Sequence, residues 1–260
     1  MGDATHGHAS HVQHHFDSPK QQMESGKLGM WLFLAQELLF FGGVFCVYAI
    51  FRARNTELFE FGSGMLNWKM GAVNTVVLIC SSLTMAWAVR CAQIGARRTL
   101  LWMLVATQLF AGAFLVVKYV EYGEKIDHGL LWGKLYAPDE HVLSEHGYAS
   151  PHASTPEGAD SVLPIDASSG GATAGHAANG QSALVPAPAN GHIFFGIYFA
   201  MTGLHLLHVL AGMAVIAWLM IGTLRGVYGP QYFNPVDIVG LYWHLVDLIW
   251  IFLFPLLYLI

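Results

Sequence analysis

The sequence predicts an all-α membrane protein, a polytopic bundle of five transmembrane helices. Three observations predict it. Of the 260 residues, 55% are hydrophobic and only 11% are charged, whereas a soluble domain carries about a quarter charged residues. The apolar residues are gathered into five blocks, near 28–52, 70–93, 99–122, 192–223 and 236–260, each long enough to cross roughly 30 Å of hydrocarbon as a helix. Tryptophans and tyrosines (Trp68, Trp102, Tyr122, Tyr228, Tyr232) cluster near block ends, as interfacial belts do. The formal net charge of −5 gives no reason to expect a nucleic-acid partner. Cys46, Cys80 and Cys91 lie in or beside apolar runs with no CxxC, so neither a disulfide framework nor a zinc site is expected.

Residues 1–27 form a polar, His-rich tail without an apolar signal-peptide core, so the first span is expected to act as the insertion signal. Its "HGHASHVQHHF" run has a composition that can bind a transition metal, but no spacing in it defines a site. Residues 28–122 hold the first three spans. The second is the most polar inside, with Asn74, Thr75, Ser81, Ser82 and Thr84, small groups suited to helix–helix contact in lipid. Residues 123–191 form a long polar loop. Its second half is rich in Ala, Gly, Ser and Pro and is expected to be mobile, or ordered only against a partner. Residues 192–260 supply the last two spans. No internal repeat stands out, which disfavours an inverted-repeat transporter.

An odd number of spans puts the termini on opposite sides. Lys20, Lys27, Arg90, Arg97, Arg98 and Arg225 fall on the N-terminal side, and Arg52, Arg54, Lys69, Lys118, Lys125 and Lys134 on the other. The counts are equal, but Lys134 sits in a long loop and weighs less. The balance therefore leans toward a cytoplasmic N-terminus.

Ionisable residues inside the spans each need a reason, because a charge at mid-membrane costs a few kcal/mol on the mildest scales. Glu37, in "LFLAQELLFFGGVFCVYAIF", lies about ten residues into the first span, roughly 15 Å deep. Its neighbours one turn away are Phe33, Leu34, Phe40 and Phe41, and desolvation there favours the neutral acid. Two readings stand: a proton-relay carboxyl, or a hydrogen-bonded acid that fixes packing. His205 and His208 in "TGLHLLHVLAG" are three apart and share a face. So do His244 and Asp247 in "YWHLVDLIW". The three histidines raise haem or copper ligation. Against it stand an intrahelical His244–Asp247 pair and bonds from His205 and His208 to neighbouring helices or lipid headgroups. Lys118 and Glu121 can pair near an interface, with Lys118 snorkelling outward.

"LGMWLFLAQELLFFGGVFCVY", "NTVVLICSSLTMAWAV", "VEY", "TGLHLLHVLAG" and "YWHLVDLIWIFLFPLLYL" together, in that order, resemble subunit III of the haem–copper respiratory oxidases. The resemblance covers all five spans and is to the short bacterial form, which lacks the two extra N-terminal helices of longer members. It implies a V-shaped helix bundle in the bacterial inner membrane, N-terminus cytoplasmic and C-terminus periplasmic. It further implies a non-catalytic chain without haem or copper of its own, packed with subunits I and II of a cytochrome c oxidase that carry those metals. Phospholipids would fill a cleft, and the subunit would support proton uptake and protect against turnover inactivation. On this resemblance Glu37 falls on a buried carboxylate linked to proton delivery. Glu121, His205, His208, Arg225, His244 and Asp247 fall on polar positions of packing or lipid contact. The 123–191 loop is longer than is usual and would face the periplasm. Its length and acidic excess make it a candidate contact for cytochrome c or another respiratory complex. The alternatives are a related subunit of a quinol oxidase or nitric oxide reductase, and, from another class, a self-contained b-type haem protein using His205, His208 and His244.

Overall fold

The computed structural model describes residues 18–131, 136–149, 185–188 and 190–259. The N-terminal histidines and most of the Ala/Gly/Ser/Pro-rich stretch lie outside the described residues.

Among the described residues, five helices are long and apolar enough to cross a membrane. α1 runs Pro19–Arg54, α3 Trp68–Ile94 and α4 Arg97–Asp127. A short α2, Thr56–Gly64, lies between the first two of these. After a second short helix α5, Glu140–Glu145, come α6, Gly191–Arg225, and α7, Asn234–Tyr258. α1 begins at Pro19 rather than near 28, because Ser18 caps it. The Ser18 hydroxyl accepts from the Gln21 N–H at 3.2 Å, and Pro19 supplies the fixed φ that suits a first helical position. α3 is capped by the Asn67 side chain, which accepts from the N–H groups of Lys69 and Met70. α3 and α6 both end on a left-handed glycine, Gly95 and Gly226, each at φ +77, the conformation that closes a helix without a Cβ clash.

α3, α4, α6 and α7 form a four-helix ring in that order, and α1 lies along α7. α1 and α7 run parallel. The Lys27 ammonium approaches the Asp237 carboxylate at 3.6 Å near one end, Phe33 meets Tyr242, and the Tyr48 hydroxyl donates to the Leu256 carbonyl near the other end. The bundle interior is packed with large side chains, among them Trp243, Trp250, Tyr198, Phe114 and Leu78. Phe59 of α2 packs edge-on against Tyr48 and Phe194, closing the end of the bundle away from the N-terminus.

The described parts of the 123–191 segment are tied to that same end. Leu130 bridges to Tyr136. Two short strands, β1 (Tyr148–Ala149) and β2 (Val185–Pro186), pair in parallel. Tyr148 packs on Phe61 of α2 with ring centroids 4.7 Å apart.

Candidate functional site

Glu37 and Glu121 each sit in a hydrogen-bonded group of the spans, in two different places. The first lies between α1 and α6. Glu37 Oε2 is 3.0 Å from His208 Nε2, in a part of α1 whose other side chains largely face outward, Leu38, Leu39 and Phe40 among them. His208 Nδ1 is 2.9 Å from the carbonyl of Leu204. A carbonyl only accepts, so Nδ1 carries a hydrogen. Nε2 and the carboxyl then share one proton. Either the acid O–H donates to Nε2, or an imidazolium N–H donates to a carboxylate. Both forms are net neutral. The Phe41 ring stands edge-on to the imidazole at 5.1 Å, and the Tyr242 hydroxyl donates to the His208 carbonyl at 2.9 Å, so the pair is held by three helices.

The second place is deeper in the ring. Lys118 Nζ donates to Glu121 Oε2 at 2.8 Å and to the Tyr258 hydroxyl at 2.6 Å. Tyr198 donates to Glu121 Oε1 at 2.8 Å, and Tyr258 donates to the same oxygen. The ammonium also sits 4.6 Å from the Trp250 ring centroid. Lys118 is 1% exposed, so the outward snorkelling expected of it does not occur. Its i,i+3 partner and two tyrosines from other helices hold it inside. Buried charge of this kind persists only when paired and hydrogen-bonded. Lys125, also buried, donates to the Met65 carbonyl at 2.6 Å.

The remaining positions separate. His244 Nδ1 lies 2.7 Å from the Ser82 hydroxyl on α3, so its partner is across the interface and not Asp247, as an intrahelical pair required. Asp247 is buried beside Ser82, but the Ser82 bond is made to His244, and neither Asp247 oxygen closes a hydrogen bond among the described residues. His205 is fully buried, 5.2 Å from Trp250 and 5.7 Å from Phe114 between ring centroids. Its nitrogens have no partner among the described residues, so the bond to a neighbouring helix or headgroup expected of His205 is found for His208 alone. Arg225 is exposed in the last turn of α6. The three histidines thus face three different settings. Among the described residues no group of three or more His, Cys, Asp or Glu converges as a metal site.

The chain matches the family model of cytochrome c oxidase subunit III over residues 9–127 and 187–260, which include all five long helices. The chain belongs to that family. Subunit III chains are subunits of haem–copper oxidases, and this is one of them. A "Cytochrome c oxidase subunit 3" of Corynebacterium diphtheriae is 27% identical over 246 residues, 90% of this chain and 87% of that one. A protein of the same name from Thermostichus vulcanus is 24% identical over 258 residues, covering 98% and 94%. A "Heme-copper oxidase subunit I+III" of Aeropyrum pernix is 25% identical over 256 residues; these are 95% of this chain and only 24% of that much longer protein.

Tyr198, Tyr258 and the buried state of Lys118 complete the subunit III interior and were not singled out by sequence reasoning, whereas Ser82 was named there as a helix–helix contact group without its His244 partner. A signal for Tyr198 existed. Tyr198, Thr202 and His205 recur at helical spacing in α6 and mark one inward polar stripe.

Proposed function

We propose that the chain is the non-catalytic subunit III of a proton-pumping terminal oxidase. In this reading it packs on subunit I, beside subunit II, holds phospholipid, and supports proton uptake and turnover stability. The observation that carries the proposal is the Glu37–His208 pair. It is a net-neutral acid–imidazole unit with one shared proton, placed on the α1 edge of the bundle among outward-facing apolar side chains. In such a unit the proton can shift between carboxyl and imidazole while the pair stays net neutral, so the carboxyl is held in hydrocarbon without a bare charge, and uptake or loss of one further proton changes the pair by a single charge.

The Aeropyrum relative, whose name joins subunits I and III, supports packing against subunit I. Haem and copper belong to the partner subunits in this reading. An open groove of about 980 Å³ between α1 and α7, lined by Phe45, Tyr48, Ala49, Arg52 and Phe252, supports the lipid role. Its walls suit an acyl chain, and Arg52 at its rim suits a phosphate. The proposed setting is the bacterial inner membrane with the N-terminus cytoplasmic. The 123–191 segment then faces the periplasm, where it would meet cytochrome c or another respiratory complex. Unchanged turnover with the native donor after deletion of 150–185 would count against that contact.

The test of the whole reading is a mild-detergent pull-down of this chain from native membranes, with an optical spectrum and mass-spectrometric identification. The expected eluate carries an oxidase haem signal together with subunits I and II. A haem signal that stays with the isolated chain overturns the reading.

A further inference from the structure

The four-helix ring holds a buried polar level that the Glu37–His208 pair does not use. His205 on α6 is fully buried, with both ring nitrogens unpartnered among the described residues. Asn74 on α3 is also fully buried, with its amide nitrogen and oxygen both unpartnered. The helix registers bring the two to one depth. Trp250 of α7 is in ring contact with His205 and donates from Nε1 to Thr75 Oγ1, the residue after Asn74, at 3.1 Å. On the other side of the ring, the Thr84 and Thr107 hydroxyls lie 2.8 Å apart between antiparallel α3 and α4. Stepping back from Thr84 to Asn74 on α3, and equally far forward from Thr107 on α4, reaches Val117 and Lys118. Tyr122 of α4 bonds Thr202 of α6, and one turn farther along each of these antiparallel helices, toward mid-membrane, Lys118 comes opposite His205. Phe114, in edge contact with both His205 and Trp250, marks the same level.

Asn74 therefore offers two donors and an acceptor, and His205 one donor and one acceptor, in a region walled by Trp250 and Phe114. Lys118 adds to this. An ammonium has three N–H groups, and Glu121 and Tyr258 take two of them. Buried polar groups in folded proteins are satisfied by protein or by ordered water, and an internal water takes about two to four such partners.

We infer that Asn74 and His205 form an internal water-binding site at the level of Trp250, in the middle of the bundle. The bound water bridges the α3 amide and the α6 imidazole and lies beside the Lys118 ammonium. It gives the Lys118–Glu121–Tyr258 cluster an exchangeable neighbour inside the spans. This site stands apart from the Glu37–His208 reading and is tested separately from it.

The test is hydroxyl-radical labelling, generated by X-ray pulses in the purified native complex containing this chain, with peptide mass spectrometry. Bound water is activated in place and labels the side chains that touch it. Phe114 and Phe59 make a matched pair: both are fully buried phenylalanines, but only Phe114 borders the site, whereas Phe59 packs between Tyr48 and Phe194. The expected result is several-fold more labelling of Phe114 than of Phe59, falling to the Phe59 level in His205→Phe. Equal labelling of the two in the native complex overturns the inference. So does labelling of Phe114 that His205→Phe leaves unchanged. The native comparison alone decides the matter if the variant fails to assemble.

Discussion

Glu37 of α1 and His208 of α6 lie 3.0 Å apart, and the far side of the imidazole is fixed 2.9 Å from the Leu204 carbonyl. This relationship explains how a carboxyl survives in an apolar run. No neighbour on its own helix can neutralise it, but the facing helix supplies an imidazole whose other nitrogen is already committed. It also supplements the α1–α7 contact with a polar link from α1 to α6.

The first prediction follows from that shared proton. Glu37→Gln keeps a donor for His208 Nε2 but can neither take up nor release a proton. Assembly and thermal stability should fall by no more than about 1 kcal/mol, the scale of one exchanged hydrogen bond. Activity should be lost several-fold faster during sustained turnover. The measurement is oxygen consumption against turnover number for the purified complex. A complex that fails to assemble at all would instead assign Glu37 to packing.

Lys118 and Glu121 predict the opposite balance. Removing one member of a buried pair leaves the other charge uncompensated, which costs about 3–5 kcal/mol. Lys118→Met should therefore strongly reduce the amount of this subunit retained in the complex. The Lys118→Met/Glu121→Gln double variant should recover much of the loss, since Tyr198 and Tyr258 still have an amide oxygen to donate to. Subunit retention after a detergent wash, together with the melting temperature, is measured for these two and for Glu121→Gln alone, which closes the double-mutant cycle. Additive losses would show that the two residues are not coupled.

How far the sequence foretold this interior differed by residue. The five long helices were legible because spanning hydrocarbon demands unbroken apolar runs, and these runs sit where the helices do. The i,i+3 pairing of Lys118 with Glu121 was legible too, because it is local. Its burial was not, because Tyr258 and Tyr198 come from distant segments and only helix packing brings them to the pair. His208 was on view as a polar residue in a span, but which of Glu37, His244 or a headgroup it would meet depends on how α1 leans on α7 and α6. The His244–Asp247 expectation failed for a related reason. The same-face spacing is real, yet Ser82 on α3 offers His244 a well-placed hydroxyl. α2 escaped notice because nine residues are too short for a periodic pattern to stand out.

Arg97 predicts a local effect at the other end of the bundle. Its guanidinium donates from Nε to the Thr223 carbonyl at 2.7 Å and from one terminal nitrogen to the Leu224 carbonyl at 2.6 Å. It thereby gives the Leu224 carbonyl a donor and adds a second bond to the Thr223 carbonyl, which also accepts from the Gly226 N–H at 3.1 Å. Arg97→Ala should cost about 1.5–3 kcal/mol, the scale of a hydrogen bond involving a charged group. The loss should be confined to faster hydrogen exchange in the last turn of α6 and the 226–233 connection. Arg97→Lys can supply only one of the two directions and should fall between. Uniform destabilisation of all the helices would rule out a local capping role.

Two glycines on α6 give a matched test of the helix packing. A Cβ built on Gly212 would lie 2.7 Å from Trp243 Cζ3 and 2.8 Å from its Cε3, while one on Gly203 would meet nothing within 4 Å. Trp243 cannot easily withdraw, because its Nε1 donates to Ser81 Oγ at 2.9 Å on α3 and the ring is fully buried. Gly212→Ala must therefore part α6 from α7 or break that bond, at a cost of about 1–3 kcal/mol. Gly203→Ala should be neutral, or stabilising by up to about 1 kcal/mol through helix propensity. Melting temperatures of the two variant complexes, measured together, decide it. If both substitutions behave alike, the close approach of α6 to Trp243 is not what holds this face of the ring.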